Sequence, residues 1–334
     1  MLNFEPKLDL LRQALGNDVQ TCRAELIKTA LGWSCVYRVT LTYRQGRSQR
    51  DSVIVKAIDP NAEAERELHF YRILQPKLPI PKPDVHFLGT DDSSGYYVIV
   101  MEDLAYTHRI PQHPYQWTGA ELASVLRAYA LLHTVSLPDA SLAYNWLAPR
   151  HESLLDFDQI PEQVATVQRA GRWGSIPGLE NLIACARESC LKYANEKMSL
   201  LHGDTTPTNA PLPNDLHAQP ATLIDWQDVG IGMAEFDLAY MDLQPFHSGR
   251  LIPRSELLSC YWQFRAQAED DIPSPEERAA RQLHADLVTA LWLTRSASRV
   301  TLRPFPEGTP QRAHWESQYG IIYQRLVELR DEVE

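Results

Sequence analysis

The rhythm of apolar and polar positions changes near residue 104. Upstream, short runs rich in β-branched and aromatic residues alternate with polar ones, the period of a half-buried strand. Val36-Tyr37-Arg38-Val39-Thr40-Leu41-Thr42-Tyr43 and Ser52-Val53-Ile54-Val55-Lys56-Ala57-Ile58 are two such runs, with Gln45-Gly46-Arg47-Ser48 as the hairpin turn between them. Glu25-Leu26-Ile27-Lys28 leads into the first through Ala30-Leu31-Gly32-Trp33-Ser34. Two further strands are expected around Val85–Leu88 and Tyr96–Met101, joined by a turn at Asp91–Gly95. Between the two pairs, Asp59-Pro60-Asn61 signals a helix start, and Ala62 to Leu74 places Leu68, Tyr71 and Leu74 on one face. Leu78-Pro79-Ile80-Pro81-Lys82-Pro83 ends it.

Downstream the period is helical. Thr118-Gly119-Ala120-Glu121 opens a helix to about His133, and further helices are expected around 178–196, 235–243, 254–268, 272–300 and 312–333. Ser274-Pro275-Glu276-Glu277 is a helix-start signature, with Pro in the first turn and acids favoured by the helix dipole. The expectation is an α+β chain of two lobes, β-rich over 1–103 and helical over 104–334, a division that 334 residues suit.

Composition narrows the class. With 44% hydrophobic and 22% charged residues the chain reads as globular, and no apolar window is long enough for a transmembrane helix. Met1-Leu2-Asn3-Phe4-Glu5-Pro6 lacks the basic-then-apolar pattern of a signal peptide, so a cytoplasmic location is expected. Cys22, Cys35, Cys185, Cys190 and Cys260 are scattered without a C-x-x-C pair, which argues against a disulfide framework or a zinc site. The net charge of -11 is uneven: residues 1–104 hold 13 Lys+Arg against 14 Asp+Glu, and residues 105–334 hold 19 against 29. Nucleic acid and anionic membranes would be repelled, whereas an acidic second half would attract a cationic ligand.

The candidate chemistry lies in two motifs. In His202-Gly203-Asp204-Thr205-Thr206-Pro207-Thr208-Asn209, Asp204 and Asn209 share a rigid loop, and Asp225 ends the apolar run Ala221-Thr222-Leu223-Ile224. Asn and Asp oxygens suit a hard divalent cation, and a second carboxylate can accept a proton from an attacking hydroxyl. Lys56 stands inside an apolar strand, where an ammonium needs a partner unless it lies at an edge with its head in water. No G-x-x-x-x-G-K-[ST] is present, which excludes the common P-loop.

His202-Gly203-Asp204-x-x-x-x-Asn209 followed by Ile224-Asp225-Trp226-Gln227 resembles the signature of the aminoglycoside phosphotransferase and choline kinase-like family, which has the protein-kinase-like fold. Gln227, and Gly232 followed by Asp237-Leu238-Ala239-Tyr240, are most similar to its ecdysteroid kinase-like branch. The resemblance implies Asp204 as catalytic base, Asn209 and Asp225 as magnesium ligands, and Lys56 as the grip on the α- and β-phosphates of ATP. Glu67 is the expected partner of Lys56, with Glu63 one turn earlier as the alternative. Gly32-Trp33-Ser34 takes the place of the nucleotide-covering loop with a single Gly, and the backbone at Glu102 and Leu104 that of the adenine-binding hinge. Asp237 is expected to cap a helix from about Leu238 or to brace the catalytic loop.

His202 and His133 are expected to be structural. Trp226, Trp262 and Trp292 are expected in the core, with a cation-binding aromatic wall as the alternative. One departure concerns Ala210-Pro211-Leu212-Pro213-Asn214-Asp215, where the family has a longer apolar strand, so the hairpin bearing Asn209 and Asp225 is expected to be short. The resulting expectation is an ATP- and magnesium-dependent kinase of a small alcohol: an aminoglycoside, choline or amino alcohol, or a neutral sterol-like or sugar alcohol. The rivals are a non-catalytic nucleotide-binding protein and a protein kinase. Gly203 and Trp226-Gln227, in place of the Arg and Phe-Gly of protein kinases, disfavour the last.

Overall fold

The alternation upstream of residue 104 becomes an antiparallel sheet in the order β1-β2-β3-β5-β4: β1 Val19–Ala30, β2 Ser34–Tyr43, β3 Ser52–Ile58, β4 Val85–Thr90 and β5 Tyr97–Glu102. The computed structural model describes residues 4–30, 34–44, 52–60, 62–112, 117–135, 146–147, 155–194, 196, 198–243, 252–269 and 271–333. The expected turn at Gln45–Ser48, and Leu31, Gly32 and Trp33 of the expected covering loop, lie outside them.

Side chains alternate across the sheet and give it two different faces. Cys35, Val39, Leu41, Val53, Val55, Ala57, Val98 and Val100 bury against Phe4 and helix α1, Leu8–Leu15. Ile54, Ile58, Ile99 and Met101 pack on the other side, with helix α2, Ala62–His69. Lys56 lies on this second face, opposite Val36 of β2 and Ile99 of β5. β3 is therefore an inner strand, and the edge-strand reading of Lys56 is excluded.

The helix expected over 62–74 is α-helical only to His69. It then widens into a π-turn over Phe70–Leu74, whose extra residue per turn lets consecutive Phe70 and Tyr71 both bury.

Among the described residues the helical half contains α3 Gly119–His133, α4 Ile160–Arg169, α5 Leu179–Tyr193, α6 Glu235–Asp242, α7 Arg254–Ala268, α8 Pro275–Leu302 and α9 Pro310–Val333. Capping boxes start α3 (Thr118 with Glu121) and α8 (Ser274 with Glu277). The second sets the start of α8 at Pro275 rather than 272, because Pro at the first helical position needs no N–H partner. Two helices escaped the sequence reading. In α4, Ile160, Val164 and Val167 have helical spacing and are buried, but Pro161 in its first turn obscured the start. The eight-residue α1 rests on Leu10 and Leu11.

Two short ribbons shape the region between the halves: β6 His108–Arg109 with β8 Leu212–Pro213, and β7 Ser199–Leu201 with β9 Gly230–Gly232. The run Ala221–Ile224, read as a strand ending at Asp225, is not a regular strand. Pro211, Pro213 and Pro220 remove ladder donors. What survives is a pair of bonds, Thr222 N–H to the Pro211 carbonyl and Ile224 N–H to that of Asn209, each 3.0 Å. Among the described residues all five cysteines are free, and no helix is long and apolar enough to cross a membrane.

Candidate active site

The sheet and α2 deliver one half of the site. Lys56 donates to both oxygens of Glu67, at 2.9 and 2.7 Å, and to Asp225 Oδ1 at 2.6 Å. Glu67 is thus the described partner, the side chain of the alternative Glu63 lying outside the described residues, and both Lys56 and Glu67 are buried. Burial works against the Lys56 charge, yet Asp225 and then Glu67 hold its proton more tightly than usual. Asp225 is also desolvated, but Lys56 and then Lys28, whose Nζ is 3.7 Å from Asp225 Oδ2, keep its carboxyl well below the ordinary range. One buried ammonium shared by two acids satisfies them unequally: burial pushes the Glu67 carboxyl up, and the negative charge of Asp225 adds to this. Asp225 sits in the left-handed region at φ 68°, which Asp tolerates better than most residues, and the turn Trp226–Asp228 follows it.

The loop between β7 and β8 delivers the other half. Asn209 donates from Nδ2 to Asp204 Oδ2 at 2.8 Å and to the Asp204 carbonyl at 3.2 Å, closing the loop on itself. The backbone carbonyl of Asn209 is taken by the Ile224 N–H, and the side-chain oxygen, Oδ1, is then the amide atom turned to a cation. That oxygen and the ionised Asp225 carboxylate form a hard donor set that fits magnesium, with phosphate oxygens and water completing the shell. Among the described residues no cluster of three or more His, Cys, Asp or Glu side chains could hold a metal alone.

Asp237 holds this loop from beneath. Its carboxylate accepts from the backbone N–H of His202 at 2.8 Å, of Gly203 at 2.9 Å, and from His133 Nε2 at 3.2 Å. Asp237 therefore braces the His202–Asn209 loop and does not cap a helix; α6 has already begun at Glu235. Gly203 has φ 88°, so the residue that replaces the protein-kinase Arg occupies a conformation that favours glycine.

His202 Nδ1 accepts from the Asp204 N–H at 3.2 Å while Nε2 donates to the Ile224 carbonyl at 2.9 Å, which ties Asp204 to the segment preceding Asp225. His133 reaches the Tyr261 hydroxyl at 2.8 Å through Nδ1. Burial pushes both imidazoles below their ordinary value and favours the neutral form, so both histidines are structural, as expected.

An aromatic stack joins the halves. Trp226 lies on Phe70, with centroids 3.9 Å apart and planes 15° apart, and on His202 at 4.4 Å. Trp262 packs instead beside Tyr261 and under the Arg278 guanidinium, and Trp292 beside Tyr240. The three tryptophans form no common wall.

At the exit from the sheet, Glu102 is the last residue of β5, its N–H bonded to the Asp84 carbonyl at 2.8 Å, and Leu104 opens a short 3-10 turn. The residue that fastens this exit is Asp103, whose carboxylate takes Ser52 Oγ at 2.6 Å, Arg38 Nε at 2.7 Å and the Ala105 N–H at 3.1 Å. Ser34 is buried as the first residue of β2. Lys28 and Asp103 were not singled out from sequence: one lies on an exposed strand edge, and the other reads as an ordinary turn acid.

A sequence profile described as the phosphotransferase enzyme family matches residues 30–250, a span that includes Ser34, Lys56, Glu67, Asp204, Asn209, Asp225 and Asp237 but not Lys28. No curated protein sequence matches the chain. Similar solved structures include a candidate aminoglycoside phosphotransferase from Ralstonia eutropha, 16% identical, covering 95% of this chain and 97% of that one at a TM-score of 0.60. Spectinomycin phosphotransferase bound to ADP and spectinomycin is 13% identical over 98% and 97%, at 0.58. A microcompartment-associated aminopropanol kinase is 15% identical over 98% and 100%, at 0.57. At such identities the likeness is one of fold.

Proposed function

The chain belongs to the phosphotransferase enzyme family, and from that premise we propose that it transfers the γ-phosphoryl group of ATP to a hydroxyl of a small molecule. The observation that carries this reading is the convergence of Lys56, Glu67 and Asp225, from a strand, a helix and a turn, beside the loop that joins Asp204 to Asn209. A buried cation held by two carboxylates is a costly arrangement for stability alone, and it suits a polyphosphate.

In this reading Lys56 meets the α- and β-phosphates, kept in place by Glu67. The backbone at Ser34 faces the phosphates, that at Glu102 and Leu104 receives the adenine, and the boundary between the two lobes falls at residue 103. Asn209 and Asp225 would hold magnesium, which supplies charge neutralisation across the β- and γ-phosphates when bound. Asp204 orients the acceptor hydroxyl and takes its proton as the new O–P bond forms and the bond to the ADP oxygen breaks. Positioning and fixed charge, rather than covalent chemistry, provide the rate.

For the acceptor we favour an alcohol that carries an amine. The net charge of residues 105–334 supports this, as does the presence of an aminopropanol kinase and a spectinomycin phosphotransferase among the proteins of similar fold. A labelled-ATP screen over amino alcohols, choline, aminoglycosides, sugar alcohols and sterol-like alcohols tests both parts. Turnover of an amine-bearing alcohol is expected, with a loss of about 10²–10⁴-fold in Asp204→Ala and nucleotide binding retained. Faster phosphorylation of the neutral alcohols would remove the charge argument, and unchanged turnover in Asp204→Ala would remove the base.

A further inference from the structure

The row of residues that carries Lys56 across the sheet carries a second lysine. Lys28 stands opposite Val36, and Val36 stands opposite Lys56. Cross-strand partners share a sheet face, so both ammonium groups rise on the side where Asp225 lies. Lys28 Nζ is 3.7 Å from Asp225 Oδ2, and Lys56 Nζ is 2.6 Å from Oδ1. The carboxylate is bracketed, one cation on each oxygen.

Strict alternation would not put Lys28 there. Cys22, Ala24 and Leu26 stand opposite Leu41, Val39 and Tyr37, on the α1 face, and a regular strand would send Lys28 the same way, opposite Cys35. The pairing instead steps from Leu26–Tyr37 to Lys28–Val36, leaving Ile27 without a counterpart. This one-residue bulge turns Lys28 to the opposite face. An ion pair whose lysine is 54% exposed adds little to stability, so the fold alone gives no reason for the turn. The site does give one: Asp204–Asn209 contains no cation, and Lys56 is already shared by two carboxylates.

We propose that Lys28 is a triphosphate-binding residue that exchanges Asp225 for the β- and γ-phosphate oxygens of the nucleotide. The inference rests on the ATP-dependent reading above. In that reading Asp225 would hold magnesium and Lys56 would meet the phosphates, so the triphosphate enters beside Lys28, whose Nζ is 3.7 Å from Asp225 Oδ2. The half-exposed, flexible lysine stem lets its ammonium move with the ligand. Lys28 thereby provides from β1 a positive charge that the sequence Ala30-Leu31-Gly32-Trp33-Ser34 does not contain.

Calorimetric titration in magnesium with ADP and with a non-hydrolysable ATP analogue tests this in the wild type, Lys28→Ala and Lys28→Arg, with thermal melts as a check on folding. Lys28→Ala is expected to weaken the triphosphate analogue by about tenfold or more and ADP by less than about threefold, and Lys28→Arg to restore both to within about threefold. Equal weakening of the two nucleotides, or no weakening, overturns the proposal while leaving the ATP-dependent reading intact. A wild type that binds no triphosphate analogue overturns that reading itself.

Discussion

The two halves of the site hold their polar groups by opposite means. On the sheet side, Lys56, Lys28, Glu67 and Asp225 are bound through charge, and Asp225 makes contacts that a metal and a phosphate can replace. On the loop side, Asp237 accepts two backbone N–H groups, and two neutral histidines complete the network. Ion pairs can change partners without moving the chain, whereas backbone amides cannot give up their acceptor without the loop coming apart. One region is suited to exchange and the other to permanence, and phosphoryl transfer needs both: mobile charge around the nucleotide and a fixed carboxylate for the acceptor.

The sharpest way to break this contrast is Lys56→Met. It leaves Glu67 and Asp225 buried without their shared cation and should cost about 3–5 kcal/mol in denaturant unfolding, with loss of nucleotide binding. Adding Glu67→Gln should return part of the stability and none of the binding. If binding returned as well, the pair would be structural only.

Asp237→Asn should have a smaller effect. An amide at that position presents a donor to at least one backbone N–H, at a cost of about 1–3 kcal/mol. Turnover should fall while nucleotide affinity, measured separately by titration, stays near that of the wild type. A loss of nucleotide affinity would show that the brace and the grip are not separate devices.

The mildest probe is pH. The unfolded chain binds protons at its histidines before the buried His133 and His202 do, so stability should begin to drop as pH falls through the ordinary value of 6.5. Asp225, held low by Lys56 and Lys28 in spite of burial, loses its contribution only as pH falls below the ordinary carboxylate range; Glu67, pushed up by burial, acts in the opposite sense there. Thermal melts should thus show two separate declines, and His202→Gln should make the first shallower, leaving the part due to His133, without changing the second.

The sequence made these regions legible to different degrees. Alternation revealed β2, β3 and β5 because each of these inner strands has an apolar face, and Lys56 stood out as a charge among apolar neighbours. Asp204, Asn209 and Asp225 were legible as motifs, and the prolines after Asn209 rightly foretold a shortened hairpin. The role of Asp237 remained open between cap and brace, because the choice depends on where α6 begins, within two residues of it. Lys28 could not be read at all: a bulge reverses the parity from which a side chain's face is inferred.

The bulge also bears on how this strand tolerates changes of length. Ile27 is the one residue in that stretch of β1 that the pairing can spare, for if it were removed Lys28 would still meet Val36, followed by Thr29 with Cys35 and Ala30 with Ser34. The edge of the sheet holds one residue of slack three residues before the end of β1 at Ala30. A deletion at residue 27 is a gentler change to this enzyme than many substitutions would be, and natural or designed variants one residue shorter in β1 can keep the second lysine in register with the first.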